Sequence, residues 1–103
     1  QHGEVQSEKG LTVRPIGDLQ VRYYIRLDVA DHPGVLAQIA KILGDGQISI
    51  AAVLQKDTQP ETESAEIVVT THPAREASVQ QALQAMARLP QVRRVSNTLR
   101  IEE

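Results

Sequence analysis

Hydrophobic and polar positions change period several times after residue 21, and each change marks an element. Tyr23, Ile25, Leu27 and Val29 alternate with Tyr24, Arg26, Asp28 and Ala30, the period-two pattern of a half-buried strand. Val35, Leu36, Ile39, Ala40, Ile42 and Leu43 then recur at helical spacing and predict a helix over residues 33–44. Pro33 suits the first turn, and the cluster Gly44-Asp45-Gly46 ends the helix. Residues 48–56 predict a second strand with Ile48, Ile50, Ala52 and Leu54 on one face, and the polar run 57–64 a hairpin connection. Ala65, Ile67, Val69 and Thr71 alternate with Glu66, Val68 and Thr70 in a third strand that His72-Pro73 stops. A second helix is expected over residues 74–89, with Val79, Ala82, Leu83, Met86 and Leu89 as its apolar stripe and Pro90 as its end. The last strand, residues 92–101, is expected to turn Val95, Leu99 and Ile101 inward.

The order strand, helix, strand, strand, helix, strand belongs to the α+β class. It predicts a ferredoxin-like βαββαβ sandwich, a four-stranded antiparallel sheet with both helices on one face. Right-handed crossovers place strands one and three in the middle and strands two and four at the edges. The halves form a weak repeat, because each first strand ends in a turn (DHPG, then THPA) that opens a helix. Residues 1–20 read as a linker or N-terminal extension, with Leu11, Val13 and Ile16 a short apolar set broken by Pro15 and Gly17. The folded domain is expected over residues 21–103. The chain starts at Gln1 and has Met86 as its only methionine, so it reads as a piece of a longer protein.

Composition narrows the function classes. With 103 residues there is room for one domain and one modest core. The charge of −2, from 11 basic and 13 acidic residues, gives no electrostatic reason to expect nucleic acid or a membrane surface. Two tyrosines, no Phe and no Trp leave few stacking platforms for single-stranded nucleic acid. No cysteine is present, which removes disulfides, thiolate zinc sites and cysteine nucleophiles and fits a cytoplasmic location. No apolar run approaches the roughly 20 residues that span a bilayer.

The stretch Asp31-His32-Pro33-Gly34-Val35-Leu36 carries the most chemistry. A helix N-terminus presents unpaired backbone N–H groups and a partial positive charge, and a glycine there lets a small anion approach. The plainer reading is that Asp31 caps the helix and Gly34 makes the turn. Catalysis is not indicated: there is no Gly-rich phosphate loop or dinucleotide fingerprint, and no nucleophile, base and cofactor site converge. Asp31 would repel the phosphate that an acylphosphatase-like activity requires. His32 and His72 precede prolines at equivalent strand ends and would approach each other if strands one and three ran parallel. A metal site would still need further ligands, so no metal is expected.

The second strand, Ile48-Ser49-Ile50-Ala51-Ala52-Val53-Leu54, is apolar on both faces and rich in small residues. A bare edge strand of this kind invites aggregation, and pairing with the same strand of another copy is one remedy. Burial of both faces within one chain is the alternative.

The run from Asp31 to Ala40 (DHPGVLAQIA), followed by Ile42-Leu43 and Ile48-Ser49-Ile50, resembles the ACT domain, a small regulatory module of amino-acid-metabolism enzymes. RYYIRLDVADHPGVLAQIA together with ISIAAVLQK and the upstream Val13-Arg14-Pro15-Ile16 is most similar to the C-terminal ACT domain of bacterial homoserine dehydrogenases. The resemblance covers about residues 22–103. It implies a homodimer, through helix one and strand two, that senses an end-product amino acid such as L-threonine. It assigns ligand contacts to Asp31, His32, Pro33, Gly34, Val35 and Leu36 of one copy and to Ile48, Ser49, Ile50, Ala51 and Ala52 of the other. Ile48, Ile50, Ala51, Ala52 and Val53 would form the dimer interface. Backbone N–H groups at Gly34, Val35 and Leu36 would hold the carboxylate, and Asp31 the ammonium. NAD(P) is implied only for an upstream dehydrogenase domain, with no cofactor in this chain. A ligand-free dimerisation or tethering module is the other function carried forward. Gln47 stands where the family often has glycine or asparagine before the second strand, so an altered helix exit is expected.

Overall fold

A computed structural model describes residues 5–6, 12–13, 20–31, 33–56, 61 and 63–101. Its elements are β1 (Val5–Gln6), β2 (Thr12–Val13), β3 (Gln20–Ala30), α1 (Val35–Asp45), β4 (Ile50–Gln55), β5 (Ser64–Thr71), β6 (Ala74–Arg75), α2 (Glu76–Ala87) and β7 (Val92–Ile101). β1 and β2 form a two-residue antiparallel ladder within the segment read as an extension. The main sheet runs β4–β5–β3–β7, with β6 continuing β5 along the same side of β3. All its pairings are antiparallel. β3 and β5, the first and third strands of the βαββαβ unit, are central, and β4 and β7 are the edges.

β3 sets the core. Its alternation buries Tyr23, Ile25, Leu27 and Val29 to between 0% and 1% exposure on the side that both helices cover. α1 answers with Val35, Ile39 and Leu43, and α2 with Val79, Ala82 and Met86. Each such Leu, Ile, Val or Met contributes about 1.5–3 kcal/mol by leaving water. Ile67, Val69 and Thr71 extend the same layer along β5.

Both edge strands depart from strict alternation. In β4 the register passes from Ile50↔Thr71 to Ala52↔Thr70, so Ala51 is an extra residue. Beyond this bulge Val53 and Gln55 oppose the core residues Val69 and Ile67, while Ala52 and Leu54 oppose Thr70 and Val68 on the open face. Ile48, Ile50, Ala52 and Leu54 therefore do not share one face. Ile48 is buried, and Leu54 is 57% exposed. β7 repeats the device at Ser96: Leu27 pairs with Val95 and Arg26 with Asn97. Thr98 and Arg100 then oppose Ile25 and Tyr23, and Leu99 and Ile101 move outward. The expected inward Leu99 and Ile101 are thus corrected, because one inserted residue reverses every later side chain. Asp28 holds this bulge by accepting from Ser96 Oγ at 3.0 Å and Arg94 Nε at 3.2 Å.

Strands β3 and β5 are adjacent but antiparallel, with Ala30 opposite Ser64 and Tyr24 opposite Thr70. The strand end before His32 and the one before His72 consequently lie at opposite ends of the sheet, which removes the proposed approach of the two histidines. His32 itself lies outside the described residues. Among the described residues no cluster of three His, Asp or Glu is placed to hold a metal, and no helix is long and apolar enough to cross a membrane.

A polar knot closes the other end of β3. The main-chain ladder to β5 ends at Tyr24, and Tyr23 N–H is instead satisfied by the fully buried Thr71 Oγ1 at 3.1 Å. The Tyr23 hydroxyl donates to Glu76 in the first turn of α2, and Gln80 Nε2 donates to the same carboxylate at 3.0 Å. Burial, and then the bond to Glu76, push the Tyr23 hydroxyl up to about 12. The same bond holds the Glu76 carboxyl below its usual range. Since the folded pKa of Tyr23 exceeds its unfolded value, the contribution is complete below about pH 10 and is lost as pH rises towards 12. A Tyr24→Phe variant leaves Tyr23 as the only tyrosine, and its ultraviolet absorbance titration should have a midpoint near 12. A midpoint at the ordinary value of about 10 contradicts the knot.

Candidate functional site

The junction between β3 and α1 opens a cleft of about 460 Å³. Its walls are Val29, Ala30 and Asp31 from the strand, Pro33 and Gly34 from the turn, Val35 and Leu36 from the helix, and Gln55 and Ile67 from the neighbouring strands. Two main-chain bonds fix the strand end: Ala30 N–H donates to Gln91 O at 2.7 Å, and Asp31 N–H to Glu63 O at 2.8 Å. Glu63 holds its carbonyl there from a left-handed conformation, φ 52°.

Gly34 is the N-cap of α1, and its φ of 90° lies where a side chain is strained. Its carbonyl accepts the first helical bond, from Gln38 N–H at 3.1 Å. Among the described residues no side chain caps this helix end. Asp31 is thus not the cap, contrary to the plainer sequence reading, and the N–H groups that follow Gly34 lack side-chain acceptors. A Cβ built on Gly34 meets nothing within 4 Å, so the glycine is required by backbone conformation and not by crowding. The helix end aims its positive pole along the cleft, with the exposed Asp31 beside it.

The far wall was not legible in the sequence. Strict alternation from Ile50 would turn Gln55 away from the helices. The Ala51 bulge brings it onto the helix side, opposite Ile67 and into the cleft. Asp31, Pro33, Gly34, Val35 and Leu36 all line this space. Of the second-strand residues, Ile48 is buried beneath the exit of α1, Ile50 is partly buried, and Ser49, Ala51 and Ala52 are exposed. They lie towards the start of β4, which neighbours the Thr71 end of β5, whereas the cleft lies by Gln55 and Ile67. Within one chain the two halves of the expected contact set do not meet.

The exit of α1 is closed without a glycine at its left-handed position. Gln47 takes the left-handed conformation, φ 63°, and donates to Gly44 O at 3.0 Å. Ile48 N–H reaches Leu43 O at 2.9 Å, and both side chains are buried, completing a Schellman closure. Gly46 instead has φ −86°. The two left-handed positions generate opposite expectations for thermal or denaturant unfolding. Gln47→Gly should stabilise the fold by about 0.5–1 kcal/mol, and Gly34→Ala should destabilise it by about 1 kcal/mol. Shifts of the same sign would contradict the conformational argument.

The ACT-domain family model matches residues 23–91. Homoserine dehydrogenase of Methylobacillus glycogenes is 42% identical over 93 residues, covering 90% of this chain and 23% of its own length. The crystal structure of a homoserine dehydrogenase from Thiobacillus denitrificans superposes with a TM-score of 0.77 at 32% identity, over 94% of this chain and 22% of that one. The ACT domain from the GTP pyrophosphokinase of Chlorobium tepidum shares the fold, with a TM-score of 0.59 at 11% identity over 80% of this chain and 99% of that one. The chain thus spans less than a quarter of the length of the homoserine dehydrogenases it matches.

Proposed function

The chain belongs to the ACT-domain family, and on that premise we propose that it is the amino-acid-sensing module of a homoserine dehydrogenase-like enzyme. Its effector would be an end-product amino acid of threonine's size and polarity. The observation that carries this reading is an open cleft lined by an uncapped helix N-terminus, by the exposed Asp31 and by Gln55. Its volume of about 460 Å³ lies in the range of small-ligand sites. The N–H groups of Val35 and Leu36 would receive an α-carboxylate, as helix N-termini receive anions. Asp31 would accept the α-ammonium through charge-assisted bonds. Gln55 would bond the effector's side-chain oxygen, with Pro33, Leu36 and Ile67 against its carbon atoms.

The exposed start of β4 supports a dimer. Ile48 is buried in its own chain, but Ser49, Ile50, Ala51 and Ala52 lie away from the cleft of their own chain and would complete the cleft of a second copy. The interface would use Ile50, Ala51, Ala52 and Val53 beside α1, while the core residue Ile48 supports them from beneath. Dehydrogenation and its NAD(P) would belong to the remainder of the longer enzyme, working in the cytoplasm, and effector binding would reach it as a coupling energy of about 1–3 kcal/mol.

Titration calorimetry with threonine and other amino acids tests the proposal. Saturable heat is expected with one of them, and at a hundredfold excess over Kd it should stabilise folding by about 2.7 kcal/mol. Asp31→Asn should weaken binding about tenfold or more by removing a charge-assisted bond of about 1.5–3 kcal/mol. Neither heat nor a Tm shift with any amino acid would leave the second reading, a ligand-free dimerisation module. That reading is favoured by Val53 and Leu54, 40% and 57% exposed on an edge strand whatever occupies the cleft.

A further inference from the structure

The bulges of both edge strands turn large apolar side chains onto the sheet face that the helices leave open. Beyond Ala51, Leu54 stands there beside Val68. Beyond Arg93 and Ser96, Leu99 stands there opposite Tyr24, and Ile101 opposite Arg22. Leu54 and Leu99 are each 57% exposed and Ile101 36%, whereas Val68 between its neighbours is sealed at 6%. Tyr24 is the diagonal neighbour of Val68, so these five side chains form one band across all four strands. Single exposed apolar residues are ordinary, but a contiguous band with a polar border has the anatomy of an interface.

The border is basic. Arg22, Arg26, Lys56 and Arg94 share this face with the carboxylates of Asp28 and Glu66. Glu66 pairs with Lys56 Nζ at 3.3 Å and Arg26 Nε at 3.5 Å, and Asp28 with Arg94 Nε at 3.2 Å. Four cations against two carboxylates leave a positive surplus, on a chain whose net charge is −2. A second copy placed face to face would set surplus against surplus, so the charge favours an acidic partner. Nucleic acid fits poorly, because Tyr24 is the one aromatic ring in the band. The homoserine dehydrogenases that this chain matches carry more than three-quarters of their length outside the matched region. Cleft and band are also built on the same strands: Gln55 and Ile67 line the cleft, and their chain neighbours Leu54 and Val68 stand in the band. An effector that moves β4 against β5 therefore moves both. We propose that the open sheet face docks on an acidic, apolar-centred surface of the dehydrogenase portion of the longer enzyme, and that effector occupancy is transmitted through this contact. This rests on the reading of the chain as a sensing module and adds the surface by which it is coupled.

Hydroxyl-radical footprinting read by mass spectrometry tests this, on the chain by itself and on the full-length enzyme that contains it. Leu54, Leu99 and Ile101 should be oxidised readily in the chain alone and severalfold less in the full-length enzyme. A Leu99→Lys variant adds charge to the basic face at an exposed position. In the chain alone it should leave the unfolding transition and the threonine titration heat unchanged. In the full-length enzyme it should restore oxidation at Leu54 and Ile101. There the factor by which threonine changes the dehydrogenase rate, about 5–150 for a typical coupling, should fall towards one. Equal oxidation in both samples overturns the docking face, and saturable heat then leaves the sensor reading standing. Protection already present in the chain alone, with sedimentation at twice its mass, makes a second copy the occupant and overturns the proposed one. Protection that needs added RNA or anionic vesicles overturns it likewise. Protection in a longer protein that oxidises no homoserine overturns the named partner together with the functional reading.

Discussion

One inserted residue in an edge strand governs what the cleft contains. Between Ile50 and Ala52 the ladder to β5 gains Ala51 without a counterpart, and every later side chain of β4 changes sides. Gln55 is thereby carried to the helix face beside Ile67, and Leu54 to the open face beside Val68. Without the bulge the polar side chain would face away from the helix N-terminus and Leu54 would take its place. The wall facing the helix N-terminus and Asp31 would then be apolar, ill suited to a ligand with a further polar group.

Central and edge strands play different parts. β3 is paired on both sides and buried on one face, so its register is strongly determined and its alternation survives intact. The edges have freedom on one side and use it for bulges, at Ala51 in β4 and at Arg93 and Ser96 in β7. In β7 the bulge is pinned by Asp28, a residue of the central strand whose side chain faces away from the core. The central strand thus supplies the frame, and the edges adjust what is displayed on either side of it.

This division explains what could be read from the sequence. The order and type of all six main elements were legible, because periods of 2 and 3.6 persist over most of each element. The face assignments of β4 beyond Ala51 and of β7 beyond Ser96 were not, because an inserted residue leaves the apolar run looking continuous. Asp31, Pro33, Gly34, Val35 and Leu36 could be picked out as a group since a strand ends and a helix begins there. Gln55 could not, since its place depends on the bulge upstream. Asp31 also looked like a cap by residue type, yet Gly34 takes the cap position and leaves the carboxylate beside the cleft. At Gln47 the Schellman hydrogen bonds hold a non-glycine residue in the left-handed region, where the family resemblance led to the expectation of an altered exit.

On the proposed function, the N-terminus of α1 and the bulge-oriented Gln55 would form two walls of one amino-acid site. Heteronuclear chemical-shift mapping during a threonine titration tests this most directly. The backbone amides of Gly34, Val35 and Leu36 and the side-chain amide of Gln55 should shift together and saturate at one concentration. Shifts confined to the groove between α1 and α2, around Ile42, Ser78 and Ala82, or a Gln55 side chain unmoved while the helix amides respond, would contradict it.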